Sequence, residues 1–242
     1  MRKIIVSLFL VLTFFCSPAM SETAADWFDK AHALWDGKKY TDHKKAIEYL
    51  NNAIKLQPDY AYAYVSRGNI YEEMNQNQRA IKDYGEAIRL KPNYATAYIS
   101  RGLNYAILKH YQKAIEDFNK AIRLEPNYAN VYANRGIAYR GLGQYQKAIE
   151  DFNKAIRLKP DFVDAYYGLG ITYAMLGQRQ RAIEGFSEVI RLEPDYVEAY
   201  FHRGSAYLLQ GNNNLGCRDA EKTCTLGDCK LLEVAKKGEL CR

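Results

Sequence analysis

The sequence predicts an all-α solenoid, an open stack of antiparallel helix pairs, and three observations lead to it. Prolines recur at intervals of 34 residues, at Pro58, Pro92, Pro126, Pro160 and Pro194. Two segments one period apart, Tyr111–Leu124 and Tyr145–Leu158, share the sequence YQKAIEDFNKAIRL. Each period also holds two segments with apolar residues at helical spacing i, i+4, i+7. One unit of this length is too small to bury a core, so neighbouring units must stack.

The first 21 residues have the pattern of a secretory signal. Arg2 and Lys3 precede a 12-residue apolar run, and small residues follow it up to a cleavage site before Glu22. Cleavage after Ala19, retention as a membrane anchor and lipid attachment at Cys16 are the alternatives. We expect an exported chain, periplasmic in a Gram-negative bacterium or otherwise secreted, without membrane insertion after cleavage.

The exported chain divides into five units and a cap. The first unit, residues 24–60, is irregular, because its connection at residues 37–44 is longer than in the others. Four regular units follow at residues 61–94, 95–128, 129–162 and 163–196. Residues 197–242 form a degenerate sixth repeat and a C-terminal cap that contains four cysteines.

Fixed columns of residues run through the regular units. One column is Gly68, Gly102, Gly136, Gly170 and Gly204, and another is Ala80, Ala114, Ala148 and Ala182. A glycine inside a helix is unfavourable by about 1 kcal/mol, so a glycine in every unit indicates close approach of the paired helices. This aromatic–Gly–Tyr–Ala–Phe–Ala–Pro pattern resembles the tetratricopeptide repeat (TPR). The resemblance implies a right-handed superhelix whose first helices line a concave groove. It also implies that the protein is an adaptor that binds proteins or peptides.

Arginine and aspartate vary together at the seventh and twenty-third positions of the units. The pairs are Arg67 and Asp83, Arg101 and Asp117, Arg135 and Asp151, and Arg203 and Asp219. In residues 163–196 both charges are replaced, by Leu169 and Gly185. We therefore predict an ion pair between the two helices of each charged unit, with the arginines in a structural role.

The four cap cysteines lie outside the regular units. Their even number in an exported chain favours disulfides, and a hairpin at residues 227–228 predicts the nested pairs Cys217–Cys241 and Cys224–Cys229. A zinc site and free thiols are the alternatives. The gaps between the cysteines lack the Cys-x₂-Cys spacing of common zinc modules, so we predict no metal.

The residues of a catalytic site are missing from the sequence pattern. His32, His43, His110 and His202 lie in distant repeats, and no HExxH, GxSxG or phosphate-binding glycine motif occurs. We predict a protein that is not an enzyme and has no cofactor. The formal charge of +6 is spread with alternating signs, which argues against nucleic-acid binding.

The resemblance also indicates which side chains face the groove. These are Tyr62, Val65, Asn69, Thr96, Ile99, Leu103, Asn130, Asn134, Ile137, Arg140, Tyr167, Ile171, Phe201, His202 and Ser205. The set is largely apolar with few charges, and part of it is expected to pack between neighbouring first helices. Some relatives bind a terminal carboxylate with lysines of the groove. In this chain Val65, Ile99 and Ala133 lie in the groove column and hold no cation.

We predict an envelope adaptor that binds a protein or peptide segment. The alternatives are a self-associating structural subunit and a regulatory or substrate-presenting subunit of an envelope enzyme, and the oligomeric state stays open.

Overall fold

The computed structural model describes residues 22–241, and the predicted signal segment lies outside them. The described residues form thirteen helices. They are α1 (Ala24–His32), α2 (His43–Leu56), α3 (Ala61–Glu73), α4 (Asn77–Leu90), α5 (Ala95–Ile107), α6 (Tyr111–Leu124), α7 (Ala129–Gly141), α8 (Tyr145–Leu158), α9 (Val163–Met175), α10 (Arg179–Leu192), α11 (Val197–Leu209), α12 (Asn213–Thr225) and α13 (Lys230–Lys237). The predicted all-α solenoid of helix pairs is confirmed. None of the described helices is long and apolar enough to cross a membrane.

Short turns with a left-handed residue connect the two helices of each regular unit and of the sixth repeat. Gly143, Gly177 and Gly211 have φ angles of 72°, 71° and 78° there. Asn75 and Lys109 adopt the same conformation, at φ 56° and 60°, in the first two regular units. After the second helix, a proline two residues beyond the last helical residue blocks its continuation.

The core of each regular unit is an aromatic ring of the second helix packed against a glycine of the first helix. Phe118 and Phe152 are fully buried. A Cβ atom on Gly102 would lie 2.7 Å from Cε1 of Phe118, so only glycine permits this approach. The predicted role of the glycine column is thereby confirmed. In the sixth repeat Gly204 instead lies close to Leu231 of α13, which covers the end of the stack.

The four predicted ion pairs are all present. Arg101 Nε and Nη2 donate to both carboxylate oxygens of Asp117 at 2.8 and 2.7 Å, and the other three pairs have the same bidentate geometry. Three of the arginines also donate to the preceding unit, as Arg135 Nη1 does to Asn119 Oδ1. In the uncharged unit, Gly185 packs against the backbone of Gly170. The arginines therefore connect both helices of a unit and neighbouring units.

The first helices lie on the inner side of the array. In residues 22–241, α3, α5, α7, α9 and α11 each contact the first helix of the next or preceding unit, whereas the second helices do not pack against one another to a comparable extent. An array whose first helices approach each other must curve around them. The first helices therefore line a concave surface, as the resemblance implies.

The two ends of the array differ from its middle. The long connection of the first unit contains an isolated β-bridge between Trp35 and Tyr40, and the Tyr40 N–H donates to Glu73 Oε2 at the end of α3. At the other end, Cys217 lies beside Cys241 and Cys224 beside Cys229, with Cα atoms 5.5 and 3.9 Å apart. These are the pairs that the sequence predicts.

Candidate protein-binding groove

The concave surface of the first helices is a mixture of exposed and half-buried side chains. The exposed members of the predicted set are Tyr62, Asn69, Thr96, Asn130 and Ile137. The half-buried members are Ile99, Leu103, Asn134, Arg140, Tyr167, Ile171, Phe201, His202 and Ser205. The half-buried majority contributes to packing between first helices while it keeps part of its surface in the groove.

Val65 differs from the prediction, because it is only 5% exposed. It belongs to a core cluster with Ala80 and Tyr84, against which Ile47 of the irregular first unit also packs. Its side chain is therefore unavailable to a partner. The hydroxyl of Ser205 is satisfied within its own helix, since Oγ donates to the carbonyl of Phe201 at 2.7 Å.

A tyrosine pair forms the N-terminal part of the groove. The rings of Tyr62 and Tyr94 lie 5.4 Å apart, edge to face. Lys91 Nζ donates to the Tyr62 hydroxyl at 2.7 Å and lies over both rings, 4.6 and 4.9 Å from their centroids. Neither Lys91 nor Tyr94 was predicted for the groove, because both lie in the turn between units. An aromatic residue closes every regular unit, and this column is the signal that could have identified Tyr94.

A polar network lies next to this tyrosine pair. The Tyr84 hydroxyl is 2.8 Å from Asn69 Oδ1 and 3.0 Å from Glu72 Oε2. Buried Asn104 of the next unit donates from Nδ2 to Glu72 Oε2 at 2.7 Å. Burial and the Glu72 carboxylate raise the pKa of Tyr84. Asn69 is therefore held by internal contacts that link two units.

An aromatic cluster forms the C-terminal part of the groove. His202 stacks on Phe186 with ring centroids 5.4 Å apart and an interplanar angle of 20°. Tyr167 contacts Phe186, Tyr196 and His202 at 5.9, 5.3 and 5.9 Å, and Phe201 contacts the edge of His202 at 5.5 Å. Burial lowers the pKa of His202, although Glu198 acts in the opposite direction. The imidazole is therefore neutral near pH 7 and extends an apolar surface.

Arg140 lies between these two parts, near the C-terminal end of α7. Its Nη1 atom donates to the carbonyl of Gly168 at 3.3 Å, and its guanidinium lies 6.0 Å from the centroid of the Phe152 ring. It makes no ion pair with any residue of the described part of the chain. The groove thus combines apolar and aromatic surface with two half-buried cations, Lys91 at the tyrosine pair and Arg140 further along.

Comparison with known proteins agrees with this architecture. Family models of the tetratricopeptide repeat match residues 27–60, 49–82 and 163–196, and a TPR repeat model matches residues 68–108, 102–143 and 138–177. The chain therefore belongs to the tetratricopeptide repeat family. No curated protein matches its sequence.

Solved structures with the same fold include YrrB, described as a TPR protein with an unusual peptide-binding site. It is 25% identical, with a TM-score of 0.65 over 79% of this chain and 99% of YrrB. MamA is 28% identical, with a TM-score of 0.61 over 65% of this chain and 92% of its own. PilW, a type IV pilus biogenesis factor, has a TM-score of 0.75 over 88% of this chain and 97% of its own. At 19% identity, PilW shows the fold alone.

Proposed function

We propose that this TPR protein is a non-catalytic adaptor that binds an extended protein or peptide segment in its concave groove, in the cell envelope. The observation that carries the proposal is the row of apolar and aromatic side chains that stay partly open along the concave face. Tyr62 of the tyrosine pair and Ile137 of α7, between this pair and the aromatic cluster, are 46% and 40% exposed. Exposed apolar surface on a folded chain is typical of an interaction site.

The length of the groove suits a peptide. First helices of packed units lie about 10 Å apart, so the five from α3 to α11 cover about 40 Å. An extended chain advances about 3.4 Å per residue, so about 12 residues would pass along the groove. YrrB, which is described as having a peptide-binding site, supports the same kind of ligand.

The envelope location rests on the N-terminal sequence and the cap. Residues 1–21 have the charge and apolar run of a secretory signal. The two adjacent cysteine pairs suit an oxidising compartment, where disulfides persist. Mass spectrometry of the chain recovered from the envelope fraction tests this directly. We expect an N-terminus at Glu22, whereas recovery of the uncleaved chain in the cytoplasm would contradict the proposal.

Selection from a library of random peptides of about 12 residues tests the binding function. The bait is the exported chain, and the variant Tyr62→Ala/Ile137→Ala removes exposed groove side chains. The matched control is Leu56→Ala/Val234→Ala, which removes two exposed apolar side chains from α2 and α13, outside the groove.

We expect selected peptides to bind the groove variant at least about 10-fold more weakly than the control, which corresponds to about 1.4 kcal/mol. Circular dichroism should show that both variants remain folded, because the replaced side chains are exposed. Equal loss in both variants, or no peptide binding at all, would contradict a groove-binding adaptor.

A further inference from the structure

Arg140 differs from the four arginines of the repeat ion pairs. Each of those donates two hydrogen bonds to one aspartate, as Arg135 does to Asp151. Arg140 has no carboxylate partner in residues 22–241, and the Gly168 carbonyl is its one acceptor there. A guanidinium has five N–H donors, so most of its hydrogen-bonding capacity is unused.

Three units build the surroundings of this guanidinium. Tyr111 of the preceding unit packs so closely on α7 that a Cβ atom on Gly141 would lie 2.6 Å from its ring. Tyr167 and Gly168 of the following unit lie on the other side, and the phenols of Tyr111 and Tyr167 are near enough to influence the guanidinium. Arg140 is therefore held in place by contacts from both neighbouring units.

The surroundings remove water from the charge without neutralising it. Burial lowers the pKa of Arg140, whereas the aspartate partners raise the pKa of Arg67, Arg101, Arg135 and Arg203. A half-buried cation without a counterion is unfavourable and gains most from an anion that reaches it. Among unmodified protein side chains, the carboxylates of aspartate and glutamate match a guanidinium with two parallel hydrogen bonds.

We propose that Arg140 binds the carboxylate of an aspartate or glutamate side chain in a partner segment that passes along the groove. This inference rests on the proposed function. The groove continues on both sides of Arg140, toward Tyr62 and toward Tyr167, so a bound segment passes the arginine and does not end there. Charge complementarity therefore specifies an internal acidic residue with apolar neighbours on both sides.

The test uses the exported chain and the same random peptide library. Arg140→Met keeps the aliphatic part of the side chain and removes the charge. The matched control is Arg157→Met, which removes an exposed arginine near the end of α8. The best peptide selected by the unmodified protein is synthesised in three forms: as selected, with its acidic residue changed to the amide, and with an amidated C-terminus.

We expect the selected peptides to share an acidic residue at one position. Arg140→Met should weaken binding of the acidic peptide about 10- to 100-fold, while Arg157→Met leaves it unchanged. The side-chain amide should weaken binding to the unmodified protein by the same factor and bind both proteins equally. C-terminal amidation should have no effect.

Two outcomes would overturn the inference and leave the groove intact. One is selection of peptides without an acidic residue whose binding still falls in Tyr62→Ala/Ile137→Ala. The other is a loss of binding on C-terminal amidation alone, which would assign a terminal carboxylate. Absence of any bound peptide would overturn this inference together with the proposed function.

Discussion

Replacing Arg135 by leucine would leave the carboxylate of Asp151 buried without its partner. The two side chains are 18% and 7% exposed, and two hydrogen bonds of 2.7 Å join them. Loss of one partner of a buried ion pair destabilises a protein by about 3–5 kcal/mol. Because water still reaches part of the guanidinium, we expect the lower end, about 3 kcal/mol.

Asp151→Ala provides the second arm of a double-mutant cycle. The double variant removes both charges, as residues 163–196 do with Leu169 and Gly185, so its loss should be smaller than the sum of the single losses. We expect a coupling free energy of about 2 kcal/mol, measured by urea unfolding followed by far-UV circular dichroism. The control Arg157→Leu should change stability by less than about 0.5 kcal/mol. A coupling free energy below about 0.5 kcal/mol would refute the role of the ion pairs in holding the helices together.

Three further predictions concern the core, the groove and the cap. Gly168→Ala should destabilise the chain by about 1–3 kcal/mol in urea unfolding, because its Cβ would lie 2.5 Å from a buried phenylalanine ring. The same change at Gly85, where the nearest atom is 3.6 Å away, should stabilise it by up to about 1 kcal/mol, and equal effects would contradict this reading of the core. His202 has a lowered pKa in the folded chain, so the unfolded chain takes up the proton first and stability should fall as the pH drops below about 6.5. The free energy of unfolding should change by at most about 1.4 kcal/mol per pH unit, and His202→Gln should remove this contribution. If the variant has the same dependence of stability on pH as the unmodified protein, the prediction is wrong. Replacing both members of Cys217–Cys241 by serine should lower stability by about 3 kcal/mol, more than the roughly 2 kcal/mol for Cys224–Cys229, because the first pair closes a longer loop. An intact mass four hydrogens below the reduced value would support both bridges, and a full thiol titre without reductant would refute them.

The repeat made much of the fold predictable from the sequence. Equivalent positions in different units have the same surroundings. Two positions that change together in one unit are therefore expected to contact each other. Arg101 and Asp117 could be paired in this way, because both charges are missing where Leu169 and Gly185 occupy the same columns. The recurrence of a helix glycine in every regular unit likewise predicted the close helix contacts.

The details of the groove were less predictable, because they depend on distances between units. Val65 and Ile99 occupy the same column, but Val65 is buried since the irregular first unit packs against its cluster. The contact of Tyr111 with Gly141 was not predictable, because the position of Gly141 holds a different residue in every regular unit. The sequence predicts that Arg140 faces the groove, but only its contacts reveal that no carboxylate within residues 22–241 pairs with it.

Site-specific photocrosslinking tests the central claim, that the concave surface binds a partner segment. A photoreactive phenylalanine analogue replaces Ile137 in the groove or, as control, Lys147 in α8, which is exposed on the second-helix side. The labelled chain is irradiated with the peptide selected by the unmodified protein. We expect a crosslinked product from position 137 that excess unlabelled peptide suppresses, and none from position 147. Equal products from both positions, or a product from position 147 alone, would contradict binding in the groove.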